Sequence, residues 1–215
     1  MLEKIGIYFI DFKRLRDNAV IVDAGACKGE FIEKIIKKNS TYKIIAIECD
    51  KDNIEILREK SFPNVTICEK ALIGHKPKEK LFYHQYTGFP ESGTVGYEKT
   101  YIKKHRKFAG ITKYEIETLG INDIFSELNI DRIDYMKMNI EGSERDILAT
   151  MTGETASRIG QISISTHTKI LSDLSSTFLK RSAEIDVIQR LNELGFKAWE
   201  VGRRLVYGIF NKMEA

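Results

Sequence analysis

The stretch that decides the fold is "AVIVDAGACKGEF", residues 19–31. Four apolar or small residues run into Asp23; two glycines, Gly25 and Gly29, follow, and then an amphipathic segment. An apolar run bounded by a glycine turn reads as a fully buried strand, and the segment after it as a helix. In an open parallel sheet such a turn lies at the carboxyl edge of the strands, where ligands bind at the switch point. Gly25 permits the tight turn and Gly29 the close approach of the following helix, each for want of a Cβ.

The alternation continues outward from this point. "EFIEKIIKKN" reads as a helix with Phe31, Ile32, Ile35 and Ile36 on one side, "YKIIAIECD" as a second strand, and "KDNIEILREKS" as a second helix. "NVTICEKALI" reads as a third strand. The run predicts an α/β fold, with a mostly parallel sheet covered by helices on both faces. The middle is different. "KEKLFYHQY" alternates like an exposed strand, and the Gly-, Ser- and Thr-rich, then basic, residues 87–113 read as a long excursion over the carboxyl edge. Regularity resumes with "YEIETL" (strand), "INDIFSELNI" (helix) and "IDYMKMNI" (buried strand). A helix follows over "GSERDILATM", where Ser143 and Asp146 resemble a capping box. "QISISTH" is a strand, "TFLKRSAEIDVIQRLNELG" a long amphipathic helix, and "FKAWEV" with "RLVYGIFN" a closing hairpin.

Charge narrows the ligand. A dinucleotide fingerprint is GxGxxG, whereas the spacing here is GxxxG. A pyrophosphate at this turn would be repelled by Asp23. S-adenosylmethionine (SAM) instead carries an ammonium and a sulfonium, and at about 4 Å with a surface-like dielectric such a pair is of order 4 kcal/mol before desolvation. The alternative is that Asp23 only caps the helix and the glycines only turn the chain. Glu48, some twenty residues on at the end of the second strand, is placed to accept from both ribose hydroxyls, a feature that NAD and SAM proteins share. Lys70, Ala71 and Leu72 follow the third strand, where an adenine would lie.

With these residues assembled, most of the chain, from about Ala19 to His167, resembles the FkbM family of SAM-dependent methyltransferases. The resemblance rests on "VDAGACKGEF", "IAIECDKDNIEILREK", "NVTICEKALIG", "SGTV", "YEIETLGINDIF" and, most specifically, "IDYMKMNIEGSERDIL". It implies a class I Rossmann-like methyltransferase fold whose sheet ends in an antiparallel strand, with SAM as cofactor. The implied reaction is methyl transfer to a hydroxyl oxygen, often of a sugar, a lipid-linked glycan or a small metabolite.

The cofactor would be bound by Asp23, Ala24, Gly25, Ala26, Cys27, Gly29 and Phe31 at the first turn, and by Glu48, Cys49 and Asp50 after the second strand. Lys70, Ala71, Leu72, Ser92, Thr94 and Asn139 would complete that set. Three positions depart from the family pattern: Cys27 stands where asparagine is common, Asn139 where aspartate is usual, and Ser165 where an acid precedes the histidine by two. An amide has no usable basicity, so Asn139 can orient the acceptor or the SAM amino acid but cannot take a proton. Glu141 and His167 remain as the catalytic pair, His167 as base. Each also has a structural reading, Glu141 in positioning the next helix start and His167 as a hydrogen-bonded core residue. Glu144, in a first helical turn, is explained by the helix dipole.

Composition bounds the rest. At 215 residues, with 42% apolar and 30% charged residues, the chain suits one globular domain over 1–215, with residues 1–18 as an N-terminal extension and about 80–115 as an inserted strand and lid region. The net charge of +3 is small beside 34 basic and 31 acidic residues and argues weakly for any acidic partner. The basic run at Lys99, Lys103, Lys104, Arg106 and Lys107 reads either as a solvated helix face or as a lid gripping an anionic acceptor or RNA. Ile5 to Ile10 is too short for a signal peptide or a membrane span. Cys27, Cys49 and Cys68, odd in number and without a CxxC pair, suit a reducing cytoplasmic setting. His75, His84 and His105 lack the spacing of a metal site. The expectation is a SAM-dependent O-methyltransferase. The alternatives are an RNA or protein methyltransferase and a SAM-binding module without catalysis, with a nicotinamide enzyme as the weakest contender.

Overall fold

The computed structural model describes residues 1–74, 80–86, 93–96, 111–140, 143–166 and 183–211. Ser92, Glu141, His167, His75, His105 and the basic run 99–107 lie outside the described residues, as does the start of the long amphipathic helix, and Thr94 is described in its backbone alone.

The chain opens with an antiparallel pair, β1 (Glu3–Ile5) and β2 (Tyr8–Ile10), joined through Gly6 at φ +63°. The first parallel unit is β3 (Val20–Ala24), α1 (Glu30–Lys38), β4 (Lys43–Ile47), α2 (Lys51–Lys60) and β5 (Val65–Cys68). All five residues of β3 are buried, Asp23 among them, as in a strand covered on both faces. Then follow β6 (Ala71–Ile73), β7 (Leu81–Tyr86), β8 (Gly93–Gly96), β9 (Ile111–Ile116), β10 (Thr118–Gly120) and α3 (Ile124–Glu127). The second parallel unit is β11 (Ile133–Met138), α4 (Glu144–Thr150), α5 (Gly153–Ser157) and β12 (Ile159–Ser165). It leads to α6 (Ala183–Glu193) and the hairpin β13 (Phe196–Gly202) and β14 (Leu205–Phe210).

The main sheet has the order β13-β14-β12-β11-β3-β4-β5. β12, β11, β3, β4 and β5 are mutually parallel, and β14 runs antiparallel to both its neighbours. One face is covered by an apolar layer that includes Leu119, Phe125, Ile147, Leu148 and Leu191, the other by Phe31, Ile32, Ile35, Leu57 and the N-terminal pair's Ile5, Tyr8 and Ile10. The order reverses between β3 and β11, and the carboxyl ends of these two strands define the switch point.

Several elements differ from the sequence reading. "NVTICEKALI" is two strands, β5 in the main sheet and β6 paired in parallel with β10. "YEIETL" divides in the same way between β9 and β10. The breaks fall at Glu69, Lys70 and Glu117, and Lys70 Nζ ties them together at 2.7 Å from Glu127 and 3.8 Å from Glu117. The capping box at Ser143 is not made: its side chain caps nothing, and the carboxylate of buried Glu144 accepts from the Ile140 amide at 3.1 Å. Helix α5, short enough to escape a periodicity argument, starts on Thr152, whose hydroxyl accepts from Thr155 N at 3.1 Å.

Candidate functional site

The turn after β3 is built by contacts the sequence could not name. Gly25 has φ +75°, and a Cβ there would stand 2.0 Å from the carbonyl oxygen of Asn139 at the end of β11. Its amide and that of Ala26 both donate to Ile47 O, at 2.9 and 3.2 Å, so the turn is laced to β4 as well. Gly29, at φ +81°, starts α1, and a Cβ on it would meet Leu57 and Phe62 at 2.8 Å. The close approach it permits is therefore that of α2 and its following loop. Cys27 sits at φ +49°, a region that asparagine tolerates better than other β-carbon residues, which gives a backbone reason for asparagine at this turn.

Glu48, 8% exposed, is held by three amides. Its Oε2 accepts from Cys27 N at 2.7 Å, and Oε1 from Cys49 N and Asp50 N, each at 2.8 Å. Burial raises its pKa above the ordinary glutamate value against the pull of those amides. Burial, and then the carboxylates of Glu48 and Asp50, push the Cys49 thiol well up, so it stays protonated. A carboxylate offers about four acceptor sites; three are used, and Glu48 still lines a cavity.

That cavity, about 250 Å³, lies over the carboxyl ends of β3, β4 and β11. Gly25, Cys27, Glu48, Cys49, Lys70, Ala71, Leu72 and Asn139 line it, eight of the positions expected from sequence. Tyr83 and Val95, reaching in from β7 and β8, also line it, together with Ile47, Asn53, Ile140 and Ser143. Val95 belongs to the "SGTV" stretch, which the family resemblance sets over the cofactor; the other five have no such signal. A second compartment of about 280 Å³ adjoins it at Gly25, Cys27 and Asn139. It is lined by Ala26 and Phe31 and by the N-terminal pair. Each is a little below the ~300–1,000 Å³ usual for small-molecule sites, and they share three lining residues.

Asp23, Ala24, Gly29 and Asp50 line neither compartment. Asp50 caps α2 through Asp52 N at 2.9 Å and Asn53 N at 3.1 Å. Asp23 is fully buried, with Lys137 Nζ 2.8 Å from its Oδ1. Burial raises its pKa, and the Lys137 ammonium opposes the shift. Lys137 Nζ also donates to Gly25 O at 2.6 Å and lies 5.3 Å from the centre of the Tyr8 ring. Asp23 thus has an ion-pair partner within the chain, Lys137, and supports the turn from beneath.

Asn139 stands where the two compartments meet. Its Oδ1 is buried and has no hydrogen-bond partner among the described residues. The lining suits SAM: a carboxylate with acceptor capacity for ribose hydroxyls, Leu72, Ile47 and Val95 with the Tyr83 ring for a flat base, and the Asn139 amide beside the adjoining compartment for the amino-acid end. Among the described residues no group of His, Cys, Asp and Glu could hold a metal ion, and no helix is long and apolar enough to cross a membrane.

No curated protein matches the chain. Among solved structures it is similar to the N-terminal domain of EvdMO1 with SAH bound, at 13% identity and TM-score 0.52, over 93% of this chain and 78% of that one. It is also similar to the fibrillarin pre-rRNA processing protein of Methanococcus jannaschii (12%, TM-score 0.49, 98% and 82%). A third is the precorrin-6y C5,15-methyltransferase of Geobacter metallireducens (14%, TM-score 0.46, 92% and 82%). The Methyltransferase FkbM domain matches residues 23–198, from the aspartate beneath the first turn to the middle of β13. A Rossmann-like sheet with an antiparallel final strand, carrying that domain over most of its length, places the chain in the FkbM methyltransferase family, with S-adenosylmethionine as its cofactor.

Proposed function

We propose that the chain transfers the methyl group of SAM to a hydroxyl oxygen of a small acceptor, an O-methyltransferase acting on a sugar, glycolipid or metabolite. The observation that carries this reading is the switch-point cavity, lined by an amide-held carboxylate, Glu48, by Asn139 and by the apolar Ile47, Leu72 and Val95. SAM supplies an electrophilic methyl on a sulfonium. Glu48 accepts from the ribose hydroxyls. Leu72 and Tyr83 flank the adenine, with Lys70, Ala71 and Cys49 completing the rim. The turn at Gly25 to Cys27 and the Asn139 amide orient the amino-acid end. Methyl transfer is an in-line displacement, so positioning by these residues accounts for most of the catalysis. The acceptor's hydroxyl gives up its proton as the new C–O bond forms. Glu141 and His167, which follow β11 and β12, are the residues we assign to that part of the site, His167 as base.

The reading treats residues 1–215 as a single domain working in the cytoplasm, consistent with three free cysteines. Tyr83 and Val95 support residues 80–115 as a region that covers the cofactor. The basic run within it suits an acceptor that carries negative charge. A cell extract incubated with the protein and isotope-labelled SAM provides the test. Mass spectrometry should find the label on a hydroxyl oxygen of a small, anionic molecule. Label on RNA or protein instead, or SAM bound without turnover, would replace this reading.

A further inference from the structure

The second compartment is lined in part by residues that precede the portion of the chain defining the family. Its one wall, residues 5–8 of the N-terminal pair, precedes the matched domain, which begins at residue 23. Its other wall is the start of α1, where Glu30, Phe31 and Lys34 face the pair. Tyr8 and Phe31 meet edge-on, ring centres 5.6 Å apart, and fix the pair against the helix. Lys34 is exposed and lies across the turn of the pair: a Cβ on Gly6 would stand 3.3 Å from Lys34 Nζ. Glycine at this turn leaves the lysine its place at the opening.

The charges around this space divide by role. Lys137 is engaged by Asp23 and Gly25 O from below. Glu30 places one carboxylate at the opening, against Lys28 and Lys34. The space meets the first compartment at Asn139, and Lys28 and Lys34 outnumber Glu30 along it, so it favours an anionic group such as the carboxylate of an α-amino acid. The amino end of α1 borders the same space, and its dipole favours a carboxylate there.

We infer that the N-terminal pair and Lys34 close the cofactor site over the amino-acid end of SAM, with the Lys34 ammonium holding the carboxylate. The inference rests on the placement of the nucleoside at Glu48 argued above. It assigns a cofactor-binding part to a segment that precedes the family domain.

Two ligands that share a nucleoside and differ in the amino-acid tail test it: S-adenosylhomocysteine (SAH) and 5′-methylthioadenosine. In calorimetric titrations Lys34→Met should weaken SAH binding about tenfold, the usual effect of losing one charge-assisted contact, and leave methylthioadenosine binding unchanged. Lys34→Arg should keep most of the SAH affinity. Unchanged SAH binding in Lys34→Met, or an equal loss for both ligands, would overturn the inference. Failure of the wild-type protein to bind either ligand would instead sink the nucleoside placement, and this inference with it.

Discussion

Replacing Lys137 by methionine is expected to destabilise the protein by about 3–5 kcal/mol at neutral pH, the usual consequence of leaving one half of a buried ion pair uncompensated. Asp23 is fully buried, and the Lys137 ammonium at 2.8 Å is what offsets its desolvation. The deficit should depend on pH in a definite direction. Burial already raises the Asp23 pKa above the ordinary aspartate value, and losing Lys137 raises it further. A carboxyl whose folded pKa exceeds its unfolded one contributes stability that is complete below the unfolded pKa and is lost as pH rises through the folded pKa. The variant should therefore approach the wild type as the solution is acidified from neutrality. The double replacement Asp23→Asn, Lys137→Met, with no buried charge, should recover most of the loss. Urea unfolding over a pH series measures all three. A deficit that is small, or that does not narrow in acid, would mean that the pair is not the element holding this turn.

Gly25→Ala should have the second large effect. The added methyl group meets the Asn139 carbonyl oxygen at 2.0 Å, and the φ of +75° is unfavourable for any residue with a β-carbon. Backbone, not a flexible side chain, must move, and a loss of about 3 kcal/mol or more is expected from strain and displacement combined. The movement would separate the ends of β3 and β11, where Asn139 faces both compartments, so SAH affinity should fall along with thermal stability. Wild-type affinity in a folded Gly25→Ala protein would show that the β3–β11 junction does not shape the site.

What the sequence disclosed was set by how local each signal is. The strand, the glycine turn and Glu48 sit within thirty residues of one another, and their spacing alone places them at one sheet edge. The closing hairpin was equally readable, since two alternating runs flank a short turn. Tyr83 was not readable as a cavity residue, because it belongs to a separate three-stranded sheet, β8-β7-β9, whose docking over the main sheet leaves no periodic trace. The division of "NVTICEKALI" was marked only by Glu69 and Lys70, a break that an apolar run tolerates on paper.

The Asp23–Lys137 pair is the instructive miss. Each charge interrupts a strand that is otherwise apolar or buried, and the two residues face each other in the β3–β11 register. Two opposite charges in two fully buried strands were a signal that they pair. Read alone, Asp23 looked like a ligand for a cation, and the structure gives it an ion-pair partner within the chain.

The most direct test of the account is a calorimetric titration of SAH into the wild-type protein and into Glu48→Ala. The account predicts one SAH per wild-type chain and an affinity at least about tenfold weaker in the variant, since a charge-assisted contact to the ribose is lost. Equal affinity in the two proteins would contradict it.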